Sequence, residues 1–252
     1  MSESSDDLGD FEEFRTDEVS APEPIDWEKQ LARTLAVAND DDSHTERNAV
    51  RFHPSQLARC PRQATISKFG LEDHDTETLG VFQIGTLVHE WLEAELGGRF
   101  PGVHAEHPVQ AEYRRPGNSG VVEVVGTADV YDGHDGVVYD WKTRGGWYKF
   151  DPPSERHLDR LTLYMDALDA EAGQVVYINK KNLEVRTWPE DGTFAFDPDR
   201  RDELVKQAFE MRAAIKDAGA IETVADVPFE PCGCWLCGQE DPHPDAGGVS
   251  DE

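Results

Sequence analysis

Apolar residues recur along this chain at two different spacings. In segment 78–98, TLGVFQIGTLVHEWLEAELGG, Ile84, Leu87, Val88, Trp91 and Leu92 fall at i, i+3, i+4, i+7 and i+8. That stripe predicts an amphipathic helix ending at a glycine pair. Downstream the spacing becomes two, in HPVQAEYR (107–114), GVVEVVGTADVY (120–131) and GVVYDWKT (136–143). These are three strand candidates, the last two joined through DGHDG, whose Asp-Gly steps suit a tight hairpin. A helix over SERHLDRLTLYMDALDA (154–170) leads to two more strand candidates, QVVYINK (174–180) and LEVRTWP (183–189), and a last helix spans 198–218. Upstream, WEKQLARTLAVA (27–38) reads as a helix, and Ser55 as the N-cap of a short helix carrying Cys60. The order of elements predicts an α/β fold, a central mixed β-sheet flanked by helices.

Residues 1–25 hold many acids, one Arg and little apolar content, and 239–252 are similar. Both are expected to be disordered acidic tails around one domain over 26–238.

Composition changes the picture of what this domain can meet. Lys plus Arg number 24 against 52 Asp plus Glu, a formal charge of −28 over 252 residues. In ordinary salt such a charge argues against nucleic acid as a partner. It also suits a halophilic protein working in multimolar salt, where the Debye length falls to about 3 Å and only contact-range charges matter. The apolar runs are short and the N-terminus, MSESSDDLGDFEEF, is acidic where a signal peptide would be basic and then apolar. The expectation is a soluble cytoplasmic protein with no membrane partner, in which four cysteines point to metal or redox chemistry more than to disulfides.

The hairpin carries the candidate chemistry. Side chains alternate along a strand, so Asp140 and Lys142 share one face and Tyr139 and Trp141 the other. Asp129, on the preceding strand, comes within reach of Asp140. Two carboxylates brought together repel unless a cation lies between them, an arrangement suited to a hard divalent metal. Such a metal acidifies bound water and screens a phosphodiester's charge, and the Lys142 ammonium can position the water or stabilise charge on phosphate oxygens. A lone D-x-K would serve equally as an exposed cross-strand ion pair.

The ordered set of motifs resembles the PD-(D/E)XK nuclease superfamily, in its RecB-like branch. The matching residues are Asp129 in GTADV, and Asp140, Trp141 and Lys142 in DWK. GTLVHEWLE resembles the upstream helix of that branch and HLDRLTLYMDAL its downstream helix, in which His157, Arg160, Leu161 and Tyr164 share one face. The resemblance implies a restriction-endonuclease-like core. In it His89, Asp129, Asp140 and the Trp141 backbone carbonyl hold Mg²⁺ or Mn²⁺, Lys142 orients the water, and Tyr164 with Arg160 supports the site or touches the strand. The family has Gln where this chain has Arg160; an arginine there suits a phosphate contact.

Cys232, Cys234 and Cys237 lie within six residues, and Cys60 stands 172 residues before Cys232. Four thiolates complete either a structural Zn²⁺ site or an iron-sulfur cluster. One cysteine before the core, in SQLARCPRQ, and three after it is similar to the CRISPR-associated RecB-like exonucleases and the AddB-type helicase-nucleases. That resemblance implies a [4Fe-4S] cluster stapling the chain ends. The C-x-C-x-x-C spacing is tighter than in that family, which leaves Zn²⁺ as the alternative; either would form a C-terminal cysteine module that contributes fold energy.

The implied activity is a metal-dependent deoxyribonuclease, an exonuclease acting on single-stranded or frayed DNA in repair, viral DNA processing or CRISPR spacer acquisition, with CRISPR adaptation proteins as possible partners. Eight Lys or Arg residues from Lys142 to Arg186, Arg144 and Lys149 among them, mark a candidate DNA face shared with Arg160. Trp147 and Tyr148, in RGGWYKF, are candidates for stacking on unpaired bases or for the core. The rival class is a catalytically inert nuclease-like module that grips DNA or a partner protein.

Overall fold

A computed structural model describes residues 26–39, 48–96, 99–115, 120–234 and 237, so both acidic tails lie outside the described residues. In chain order the elements are α1 (Trp27–Asn39), β1 (Arg51–Phe52), α2 (Pro54–Leu57), α3 (Pro61–Lys68) and α4 (Thr76–Leu96), then β2 (Val103–Arg114), β3 (Val121–Asp132) and β4 (Val137–Arg144). They continue with α5 (Glu155–Leu168), β5 (Ala172–Asn179), β6 (Val185–Trp188), β7 (Phe194–Ala195), α6 (Pro198–Ala218) and a single 3-10 turn, Val224–Asp226. The expected mixed sheet between helices is present. Among the described residues no helix is long and apolar enough to cross a membrane.

The sheet runs β1-β3-β4-β5-β6, with β2 also on β3 and β7 also on β5. β2 pairs antiparallel along all of β3, from Arg114 opposite Val121 to Val103 opposite Asp132. A strand has two edges, so β1 and β4 share the other one. β1 pairs in parallel with Glu123 and Val124, and β4 antiparallel with Val130, Tyr131 and Asp132 only. Beyond Tyr139, β4 parts from β3 while staying parallel to β5 along its whole length. The sheet therefore forks between residues 125 and 129 of β3. The hairpin turn behind the fork is shaped by Asp132, whose Oδ1 accepts from His134 N and Asp135 N, and by Gly136 at φ +66°.

Alternation along β4 sorts the two layers. Val138 packs with Leu158, Leu161 and Met165 of α5, whereas Trp141 packs with Val130, Ile178 and, from α4, Val88, Leu92 and Leu96. A third cluster joins α2, α3 and α6 to the start of β3 through Leu57, Ile66, Val122, Val124, Phe209 and Met211. Gly173 lets α5 lie close on β5, since a Cβ there would stand 2.8 Å from Met165 Sδ and 3.2 Å from Leu161 Cγ.

Two expectations need correction. Ser55 is not an N-cap. Pro54, which has no N–H and a fixed φ, takes the first helical position, so the extended His53 caps α2 and its N–H donates to Gln56 Oε1 at 3.0 Å. Cys60 is not inside that helix but N-caps α3. The α4 stripe is also only half used: Val88 and Leu92 meet Trp141, while Ile84, Leu87 and Trp91 are 46%, 54% and 49% exposed.

Candidate active site

The fork places Asp129 beside β4 without a backbone rung between them. Its Oδ2 accepts the Trp141 N–H at 2.6 Å, so a carboxylate takes the place of a ladder carbonyl. Asp140, fully buried, projects from the α5 face of β4, and Lys142 lies two residues on. The Lys142 ammonium stands 2.5 Å from Asp140 Oδ2 and 3.8 Å from Asp129 Oδ2, and donates to the Trp141 carbonyl at 2.8 Å. Arg160 reaches in from α5, with Nη2 3.1 Å from Asp129 Oδ1 and Nε 3.1 Å from Asp140 Oδ1. Behind it the buried Tyr164 hydroxyl accepts from Arg160 Nε at 3.0 Å.

Two carboxylates thus face two cations. Burial alone would raise the Asp140 carboxyl, but Arg160 and Lys142 outweigh it and hold it below the ordinary range. Burial and then the Arg160 charge lower the Lys142 ammonium, against the pull of Asp140 and Asp129. Burial would lower Arg160 too, yet Asp140, Tyr164 and Asp129 carry it upward, so the guanidinium stays charged. Each Asp140 oxygen faces one cation, Oδ2 the Lys142 ammonium and Oδ1 the Arg160 guanidinium. Each carboxylate oxygen has a second lone pair, so a buried carboxylate held ionised in this way keeps capacity for a metal ion.

His89 comes from α4 on the opposite face and meets the Trp141 ring edge-on, at 5.8 Å between centroids. Burial lowers its pKa, leaving a neutral imidazole with a lone pair to offer. One ligand atom each of His89, Glu106 and Asp129 lies within 4.8 Å of the others. Glu106 escaped the sequence reading. Ala105 pairs with Val130 and His107 with Ala128, so Glu106 stands across from Asp129, at φ +49°. Loss of hydration, then the charges of Asp129 and Glu93, raise its carboxyl. In an alternating strand it looks like any solvent-facing acid; only the β2–β3 register marks it. One nitrogen and several carboxylate oxygens in this cluster fit Mg²⁺ or Mn²⁺.

The remaining candidates lie apart from the carboxylates. Arg144 ends β4 with its guanidinium 5.1 Å over the Phe150 ring, and Lys149 is exposed, its ammonium 5.1 Å over the Tyr148 ring. Trp147 is sandwiched, with Arg186 4.5 Å above its ring and Phe150 at its edge, whereas Tyr148 is 58% exposed. His157 shares the α5 face with Arg160 but contacts the Tyr177 hydroxyl at 3.1 Å.

The four cysteines come together where the N-terminus of α3 meets the C-terminal segment. Cys60 Sγ lies 3.4 Å from Cys237 Sγ and 3.8 Å from Cys234 Sγ, and all four sulfurs lie within 4.8 Å of one another, a complete ligand set for a metal.

The crystal structure of SSO0001 superposes with a TM-score of 0.54 at 21% identity, over 73% of this chain and 86% of that one, and so shares the fold. LHK-Exo in complex with dAMP superposes with a TM-score of 0.41 at 11% identity, over 68% of this chain and 90% of that one. No curated protein sequence matches. The family model of the PD-(D/E)XK nuclease superfamily matches residues 95–239. That span is more than half of the chain and contains the fork with Asp129, Asp140 and Lys142; the chain belongs to the PD-(D/E)XK nuclease superfamily.

Proposed function

We propose that this protein is a divalent-metal-dependent deoxyribonuclease, an exonuclease working on single-stranded or frayed DNA. The observation that carries this reading is the convergence of Asp129, Asp140 and Lys142 at the β3–β4 fork, with Asp140 buried and held ionised by the cations beside it. When bound, Mg²⁺ or Mn²⁺ supplies water of lowered pKa and screens the phosphate charge. His89, Glu106, Asp129 and Asp140 are the side chains to hold it. The Trp141 carbonyl, implied as a further ligand by the RecB-like resemblance, is already occupied by Lys142 Nζ. Lys142, tethered to Asp140 and that carbonyl, holds a proton donor next to the reacting phosphate. Arg160 fixes the orientation of both carboxylates, and Tyr164 fixes Arg160. The exposure of Lys149 and Tyr148, beyond β4, supports a role for them with Arg144 in receiving the backbone and an unpaired base.

The RecB-like motif order supports DNA as the substrate, and the one-plus-three cysteine arrangement supports a role in DNA processing, including CRISPR spacer acquisition with its partner proteins. A charge of −28 supports a halophilic, cytoplasmic setting, where salt screens the repulsion between protein and phosphates. Digestion of end-labelled single- and double-stranded DNA with Mg²⁺ or Mn²⁺ in multimolar KCl, by wild type and Asp140→Ala, tests the reading. Cleavage by wild type alone is expected.

Arg160 favours a second reading. Its guanidinium stands 3.1 Å from both carboxylates, where a cation would be needed. In that case the chain is an inert nuclease-like module that grips DNA or a partner, and wild type and Asp140→Ala are equally inactive while folded.

A further inference from the structure

The sulfur positions discriminate between the two metals that four cysteines can hold. In a tetrahedral site with Zn–S bonds of about 2.3 Å, neighbouring sulfurs stand about 3.8 Å apart. In a [4Fe-4S] cluster each thiolate binds a different iron, which spreads the cysteine sulfurs to roughly 6 Å or more. Here two separations are 3.4 Å and 3.8 Å, and no pair exceeds 4.8 Å.

Contacts that involve no sulfur join the two segments that carry the set. Arg62, two residues after Cys60, donates through Nη1 to Phe229 O at 2.7 Å and through Nη2 to Val224 O at 3.5 Å. Within the C-terminal half, the Cys237 N–H donates to Cys234 O at 3.0 Å, a turn that keeps these two thiols together. Exposure points the same way: Cys232 and Cys234 are exposed, a setting in which a redox-inert ion endures and a solvent-open cluster is vulnerable to oxidation. Arg156 lies in the field of Cys60 and Cys234, beside Arg59, and offsets part of the excess negative charge of four thiolates on a divalent ion.

We propose that Cys60, Cys232, Cys234 and Cys237 bind a single structural zinc ion in place of the [4Fe-4S] cluster that the family resemblance implies. This assignment is independent of the nuclease reading, because its test measures metal and not cleavage. The full chain is purified without oxygen from cells grown with ample iron, and its zinc, iron and acid-labile sulfide are measured beside its visible spectrum. One zinc per chain, negligible iron and no brown absorption is the expected result. Replacing zinc by Co²⁺ is expected to give the intense thiolate bands of a tetrahedral cobalt site. Cys60→Ser, if it folds, is expected to lose the zinc and melt earlier. Iron and sulfide near four per chain with a brown chromophore, whether as isolated or after anaerobic reconstitution, would overturn the proposal, as would a folded chain that carries no metal.

Discussion

The main-chain N–H of Trp141 donates to the Asp129 carboxylate across 2.6 Å, at the point where β3 and β4 part. A buried donor that loses its ladder partner costs about 1–3 kcal/mol unless another acceptor is found, and here a side chain supplies one. Asp129 therefore holds the fork together as well as facing the cations. Asp129→Ala is expected to lower stability by about 1–3 kcal/mol. Asp129→Asn, which keeps an acceptor, should lose less stability while still losing metal. Chemical denaturation of both variants, beside Mn²⁺ titration, checks the split.

Lys142 touches the carboxylates but needs no contact with the length of a bound strand. Lys142→Ala is expected to slow cleavage by at least about a hundredfold while changing DNA affinity little. Single-turnover cleavage and fluorescence anisotropy with labelled DNA separate the two quantities. A parallel fall in both would move Lys142 from chemistry to binding.

Arg160 competes electrostatically with any metal drawn to Asp129 and Asp140, from 3.1 Å on each. Arg160→Gln removes that charge and keeps a hydrogen-bonding side chain for Tyr164. Mn²⁺ affinity, read by electron paramagnetic resonance of the free ion, should tighten by about tenfold, since one unit charge at such range outweighs a kcal/mol. Unchanged affinity would place the metal away from the guanidinium.

Burial, followed by the Lys142 charge, pushes the His157 pKa down to about 4 from an ordinary 6.5. Between these values the unfolded chain binds a proton that the folded chain refuses. Stability from this residue is thus complete above pH 6.5 and is lost as pH falls toward 4, by up to about 3 kcal/mol. Urea denaturation from pH 7 to pH 4.5 should show that slope, and His157→Gln should flatten it.

Much of this arrangement was legible in the sequence, and what was not has a physical reason. Period-two alternation gave the three long strands, and the D-x-K face followed from side-chain alternation alone. β1 and β7 have two residues each, too few to show any period. The stripe on α4 predicted the helix but not that Ile84, Leu87 and Trp91 would face outward, because periodicity names an apolar side without saying what covers it. Glu106 became visible only through register, as a residue opposite Asp129 on a strand whose polar side otherwise faces solvent. Arg160, identified as a departure from the family pattern, proved to bridge both carboxylates, a contact between distant segments that no spacing encodes.

The cysteine set has a mechanical meaning. With Cys60 and Cys237 on one metal, the chain between them becomes a closed hoop of 177 residues' separation, containing every strand except β1 and every helix except α1 and α2. A pull applied at the two chain ends is carried across the metal–sulfur bonds and bypasses the fork. A motor or protease that grips the N-terminal side would strip α1, β1 and α2, and one that grips the C-terminal side would meet the metal first; in both cases the part of the chain that holds β3 and β4 unravels only once the metal is released.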